Sequence, residues 1–341
     1  MKCIFSLIKK EVLGFYFNTL EGTILDSFLI RLENIKKILP TNIAFTNFED
    51  SGKALECEFL MATQSKGLLF YNKGRIHQLF SEKGFYGVSQ LKGEHFSFCK
   101  KGLHGNIISF QIQGSIAINV RTRIFGLSRG VHQIDFINDD LFVTDTYNNS
   151  ILIYRDVSTK NNVHWKEYDE ILYPNGELFD GRQSSNYCHF NSIYKFKNEI
   201  FLVAHNETIK TGKASEAYLL SDKSLQVTTK SNLQGSNCHN FYKDSSFTVY
   251  LKSLEGVVSV NNEDVIKHKN TLLRGLSVSD DYIIVGGSGI ELDRVKRDKT
   301  NGYVYIYDYN YKLLLELVIF GTQMQEIRRM QEEELAYSNN G

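Results

Sequence analysis

Short apolar runs of four to seven residues, cut by Asn, Asp, Gly and Lys, recur from about residue 41 onward with a period near 40 to 50 residues. The clearest copy is "HQIDFINDDLFVTDTYNNSILIYRD" at 132–156, where "NDD" and "YNNS" part three apolar runs. Turn residues at each reversal join neighbouring runs as antiparallel strands, so the unit is a meander.

The same unit reads as "CHFNSIYKFKNEIFLVAHNE" with "EAYLLS", as "CHNFYKDSSFTVYLKSLEGVVSV", and as "RGLSVSDDYIIVGGSG" with "GYVYIYDYNYKLLLELVIF". Earlier copies are "YGVSQLKGEHFSFCKKGLHGNIISFQI" at 86–112 and, more loosely, "NIAFTNF" with "CEFLMATQSKGLLFYNKGR" at 42–75. About six units of about four strands predict an all-β fold, a six-bladed β-propeller whose blades pack face to face around a channel. Only 2 Pro against 25 Gly, 23 Phe and 19 Tyr fits pleated strands joined by tight turns. The propeller is expected to form a single domain over 1–330. Within it, 1–40 supplies either a ring-closing strand or a short amphipathic helix, "LDSFLIRLENIKKIL", and 331–341 is a flexible charged tail.

Lys+Arg and Asp+Glu both number 39, and no basic block alternates with aromatic residues as a phosphate-tracking groove requires, so nucleic acid is not an expected partner. The start "MKCIFSLIKKEV" lacks the apolar length and cleavage pattern of a secretory leader, and no run reaches the roughly 20 apolar residues of a membrane span. Five cysteines without CxxC spacing suit a reducing compartment. A cytoplasmic protein with no membrane partner is the expectation.

Aligning the units by their first strand puts His132, His189, His239 and Arg274 at equivalent positions. First strands line a propeller's channel, so residues at their starts converge on one end of the axis. Three neutral imidazoles there suit a divalent metal such as Zn, Mn or Fe with positions left open, and the arginine adds a planar cationic fork for a carboxylate or phosphate. Glu326, in "QMQEI" after the last strand, is a candidate base or fourth ligand. Tyr187, Asn191, Asn240 and His205 flank these positions as candidate substrate contacts. Cys188 and Cys238 precede two of the histidines, and strand alternation turns them into blade packing.

These motifs resemble an uncharacterised, mostly bacterial β-propeller family of unknown function. They are "VHQIDF" (131–136), "CHFNSI" (188–193), "NCHNF" (237–241), "LLRGLSVSDDYIIVGGS" (272–288), and "GYVYIYDYNYKLL" with "QEI". The likeness covers about 125–330 and departs at Gln133, Ser192 and Asn237-Cys238. It implies a propeller loosely associated with polysaccharide biosynthesis, without an activity to transfer. Carotenoid-cleaving oxygenases and oligogalacturonate lyases are analogies for axial histidines holding a metal in a propeller. The expected function is a metal-dependent enzyme acting on a small polar, carbohydrate-like or anionic substrate: a lyase, epimerase or hydrolase, with Fe-dependent oxidation as a further option. The alternative is a non-catalytic propeller that binds a protein or glycan.

Overall fold

The computed structural model describes residues 48–50, 55–176, 187–291, 296 and 299–330. The expectations for 1–40 and 331–341 lie outside the described residues. The described residues are nearly all β, 60% strand and 3% helix, and form six blades of four antiparallel strands in a ring. No helix among the described residues is long and apolar enough to cross a membrane.

Blades 2 to 6 begin at the axis with Phe85–Leu91, Val131–Ile137, Phe190–Phe196, His239–Lys243 and Thr271–Val278. Each then steps outward by hairpins, as the turn residues predict. Blade 1 is composite. Its innermost strand is Met324–Arg329, paired antiparallel with Glu58–Thr63, so the C-terminal end of the described chain closes the ring. "QMQEI", read from sequence as following the last strand, is therefore part of a strand itself. The backbone of Phe48–Asp50 pairs with the outermost strand of blade 6, which ties the ring a second time. Both additions cover edges that an open ring would expose.

Apolar side chains interleave between blades rather than within one. One cluster joins Phe59, Met61 and Leu69 of blade 1 to Val304, Ile306 and Leu317 of blade 6, and another joins Phe142 and Ile153 of blade 3 to Phe190, Ile200 and Leu202 of blade 4. Cys188 and Cys238 are buried in such clusters, and burial pushes the Cys238 thiol up to about 12. Both act as packing residues.

Every innermost strand carries a β-bulge near the same end. An extra residue falls between Phe85 and Val88, Val131 and Ile134, Phe190 and Ser192, His239 and Phe241, Leu273 and Leu276, and between Met324 and Glu326. A bulge breaks strict alternation and re-aims the side chains beside it. Positive φ at the bulges of blades 5 and 6, 48° at Asn240 and 87° at Gly275, marks the turn this needs, and His189, just ahead of the blade 4 bulge, has a φ of 52°. Gly275 has a steric reason as well, since a Cβ there would sit 2.7 Å from the Ile327 backbone nitrogen.

Candidate functional site: the bulged mouth of the channel

The bulges present one residue per blade to this mouth: Tyr86, His132, His189, His239, Arg274 and Gln325. The ring centroids of His132 and His189 are 5.0 Å apart, those of His189 and His205 stack at 3.6 Å, and His205 lies 5.2 Å from His239. Four imidazoles thus form an arc over blades 3 to 5. His205 joins it from the end of the second strand of blade 4, Glu199–Ala204. Tyr86 continues the arc at 6.1 Å from His132, and Arg274 is held by a hydrogen bond from its Nη1 to Gln325 Oε1, 2.9 Å.

Backbone partners fix the tautomers of three rings. His132 Nδ1 donates to Gly130 O at 2.9 Å, and His239 Nδ1 donates to Asn237 O at 2.8 Å and lies 2.9 Å from Ser253 Oγ. A carbonyl accepts only, so the proton of each neutral ring sits on Nδ1 and the lone pair on Nε2. His205 is the reverse: its Nδ1 accepts from the Glu207 backbone N–H at 2.9 Å, which leaves the proton on Nε2. His189 Nδ1 is 3.0 Å from the Tyr187 hydroxyl and 3.6 Å from a Glu207 carboxylate oxygen. Burial, with the neighbouring His189, His132 and Arg274 charges, holds His205 well below the usual histidine range. Burial and then Arg274 do the same to His239. His239 is 5% exposed, and its Nε2 is buried with no hydrogen-bond partner.

In front of the arc lies a cavity of about 680 Å³, bounded by Lys100, Tyr147, Tyr187, Arg274 and Gln325 as well as His132, His189 and His205, with His239 buried behind it. Amides, phenols and three cations, Lys100, Arg274 and a Lys210 paired with the Glu207 carboxylate at 3.0 Å, face one cavity and suit a hydroxylated anionic ligand. Among the described residues, no three His, Cys, Asp or Glu side chains are arranged to hold a metal ion. The stack of His189 on His205 stands in place of such a convergence.

The remaining residues singled out by sequence lie elsewhere. Glu326 does not line this cavity. It follows Gln325 on the strand, turns into the layer beneath, and accepts from Asn240 Nδ2 at 3.2 Å on both oxygens and from the Ile327 N–H at 3.1 Å. Burial first of all raises its carboxyl to about 7. Asn191 and Asn240 serve that layer too. Asn191 Nδ2 donates to Cys238 O, 2.9 Å, and Asn240 Oδ1 accepts from the Gly275 N–H, 2.9 Å, so each staples one blade to the next. Tyr187 and His205 are at the cavity. Tyr86 and Gln325 were not singled out from sequence because matching by histidine and arginine ignores a ring position filled by a phenol or an amide.

No protein-family model and no curated protein matches the chain. Among solved structures, a chain of a crystallised nidogen/laminin complex superposes with a TM-score of 0.55 at 10% identity, over 80% of this chain and 98% of that one. A protein from Lactobacillus plantarum superposes at 0.53 and 11% identity, over 81% and 100%. Likeness at this identity establishes the propeller fold alone.

Proposed function

We propose that the bulged mouth is an enzyme site for a small, polar, anionic substrate of carbohydrate-like size, completed by a divalent transition metal such as Zn, Mn or Fe. The observation that carries this reading is the repeated tether: in two blades a histidine Nδ1 donates to the carbonyl two residues earlier. Metal-binding histidines are commonly oriented in this way, with the lone pair on the other nitrogen. At His239 that nitrogen is buried and without a partner, a state that costs about 1–3 kcal/mol and that coordination would relieve.

In this reading His132 and His239 bind through Nε2, and His189 joins them by turning off His205. Arg274, braced by Gln325, grips the substrate's anionic group. His205 donates its Nε2 proton to a substrate oxygen. A metal there would polarise an oxygen or acidify a water, the requirement shared by elimination, epimerisation and hydrolysis.

A second reading, a binding propeller without chemistry, draws on the His189–His205 stack, two rings packed face to face at 3.6 Å where ligands to one ion would be turned apart. Elemental analysis of tag-free protein reconstituted with Zn, Mn and Fe(II) separates the two. The enzyme reading expects about one ion per chain, lost in His239→Ala and retained in Arg274→Ala. No stoichiometric metal in the wild type leaves the binding reading.

A further inference from the structure

The innermost strands end, away from their bulges, at a far mouth with a cavity of its own, about 500 Å³. Two phenols from blades 4 and 5, Tyr194 and Tyr242, stand in its wall with ring centroids 5.1 Å apart. From Tyr242 a row of rings leaves the cavity. Phe247, in the turn after the innermost strand of blade 5, follows at 5.7 Å, and Tyr309, in a turn of blade 6, lies a further 5.7 Å on. Tyr309 is 40% exposed and the other rings are half-buried, so the row keeps a side toward solvent. Hydroxyl contacts hold it in place: Tyr309 donates to Ser279 O, and Tyr242 to Asp244 Oδ2 at 3.4 Å.

The polar groups of this cavity hold hydrogen-bonding capacity in reserve. Gln133 is 6% exposed, and its Oε1 accepts from the Ile193 N–H at 2.7 Å, which fixes the amide. Its Nε2 also lies at the cavity wall and has no hydrogen-bond partner among the described residues. Arg328 spends Nε on Val88 O and Nη2 on Asp135, which leaves Nη1 in the same condition. Arg329 and the exposed Asp280 complete the wall with one charge of each sign. An anion would meet Asp280 there, and a cation would meet two guanidiniums. A neutral polyhydroxylated ligand meets donors and acceptors together, and its C–H surface buries against the rings. We propose that the far mouth binds a neutral oligosaccharide, one sugar unit in the cavity and the next along Phe247 and Tyr309. The site is independent of the chemistry proposed for the bulged mouth.

Saturation-transfer NMR tests it with maltotriose, cellotriose, mannotriose and chitotriose, each beside its monosaccharide, and with trilysine as the cationic rival for an aromatic row. At least one trisaccharide should bind, more tightly than its monosaccharide. Tyr242→Leu should weaken both by about tenfold, the loss of one aromatic contact in the cavity. Tyr309→Ala, at an exposed turn position where the fold has little to lose, should weaken the trisaccharide by about fivefold and leave the monosaccharide unchanged. Three results overturn the proposal: no binding of any of the four trisaccharides, trisaccharide affinity unchanged in either variant, or binding of trilysine in place of the sugars.

Discussion

The two mouths of the channel are built by the same six strands and treat their polar groups in opposite ways. At the far mouth, a cavity of about 500 Å³, Arg328 donates to Val88 O and pairs with Asp135, whose other oxygen accepts from Ser89 Oγ at 2.8 Å. Tyr194 and Tyr242 pack beside them with centroids 5.1 Å apart. Charge on blade 1 is answered there by charge on blade 3, past the inner strand of blade 2. At the bulged mouth two imidazoles are oriented by backbone carbonyls, and His239 Nε2 is buried without a hydrogen-bond partner. The difference follows from the bulges: regular pairing lets facing blades saturate one another, whereas an inserted residue turns side chains toward the axis. One end pairs its charges within the chain, and the other is the end proposed as the enzyme site.

Substitutions can break this contrast at graded cost. Gly275→Ala should do most harm, about 3 to 4 kcal/mol in chemical denaturation, because it adds a Cβ at φ 87° against the Ile327 backbone. Anion binding at Arg274, read with sulfate, should fall with it, since Arg274 precedes Gly275 and is braced by Gln325 on the strand that the new Cβ would strike. Wild-type stability would contradict the close packing of blades 6 and 1.

Glu326 comes next. Its folded carboxyl, near 7, lies above the unfolded value of 4.5, so between those values the folded state holds more protons and stability falls as pH rises. The full loss is about 3 kcal/mol, complete by about pH 8. Denaturation of Glu326→Gln across pH 4 to 8 should lack this slope and exceed the wild type at pH 8. Parallel profiles would place the carboxylate in a solvated position.

Arg328→Met should cost about 2 kcal/mol by leaving Asp135 unpaired at the far mouth, discounted for the partial exposure of the pair. Metal binding at the bulged mouth should not change. A loss of metal would show that the ends are not independent. Smallest is Cys238→Ala, about 1 kcal/mol for a small buried thiol, with metal content unaltered. Loss of metal there would make the cysteine a ligand.

Much of this was legible in the sequence. Turn residues at each reversal carried the blade count, and the alignment of His132, His189, His239 and Arg274 placed them at one end of the axis. What escaped were the consequences of the bulges. Adjacent residues on a bulged strand divide between the mouth and the layer beneath, so Gln325 reaches Arg274 while the more reactive-looking Glu326 does not line the cavity. Asn191 and Asn240 looked like substrate contacts because they follow histidines, but at the bulges their amides satisfy the next blade. Ring closure by Met324–Arg329 escaped for another reason. A closing strand pairs with residues more than 250 positions away, and no local pattern records such a partner.

The most direct test of the open acceptor at the bulged mouth is anomalous diffraction from crystals grown with Zn or Mn. The prediction is a single strong peak about 2.1 Å from His239 Nε2, with His132 Nε2 in the same coordination shell and His189 turned off His205. An empty map at His239, with His189 still stacked on His205, would contradict it.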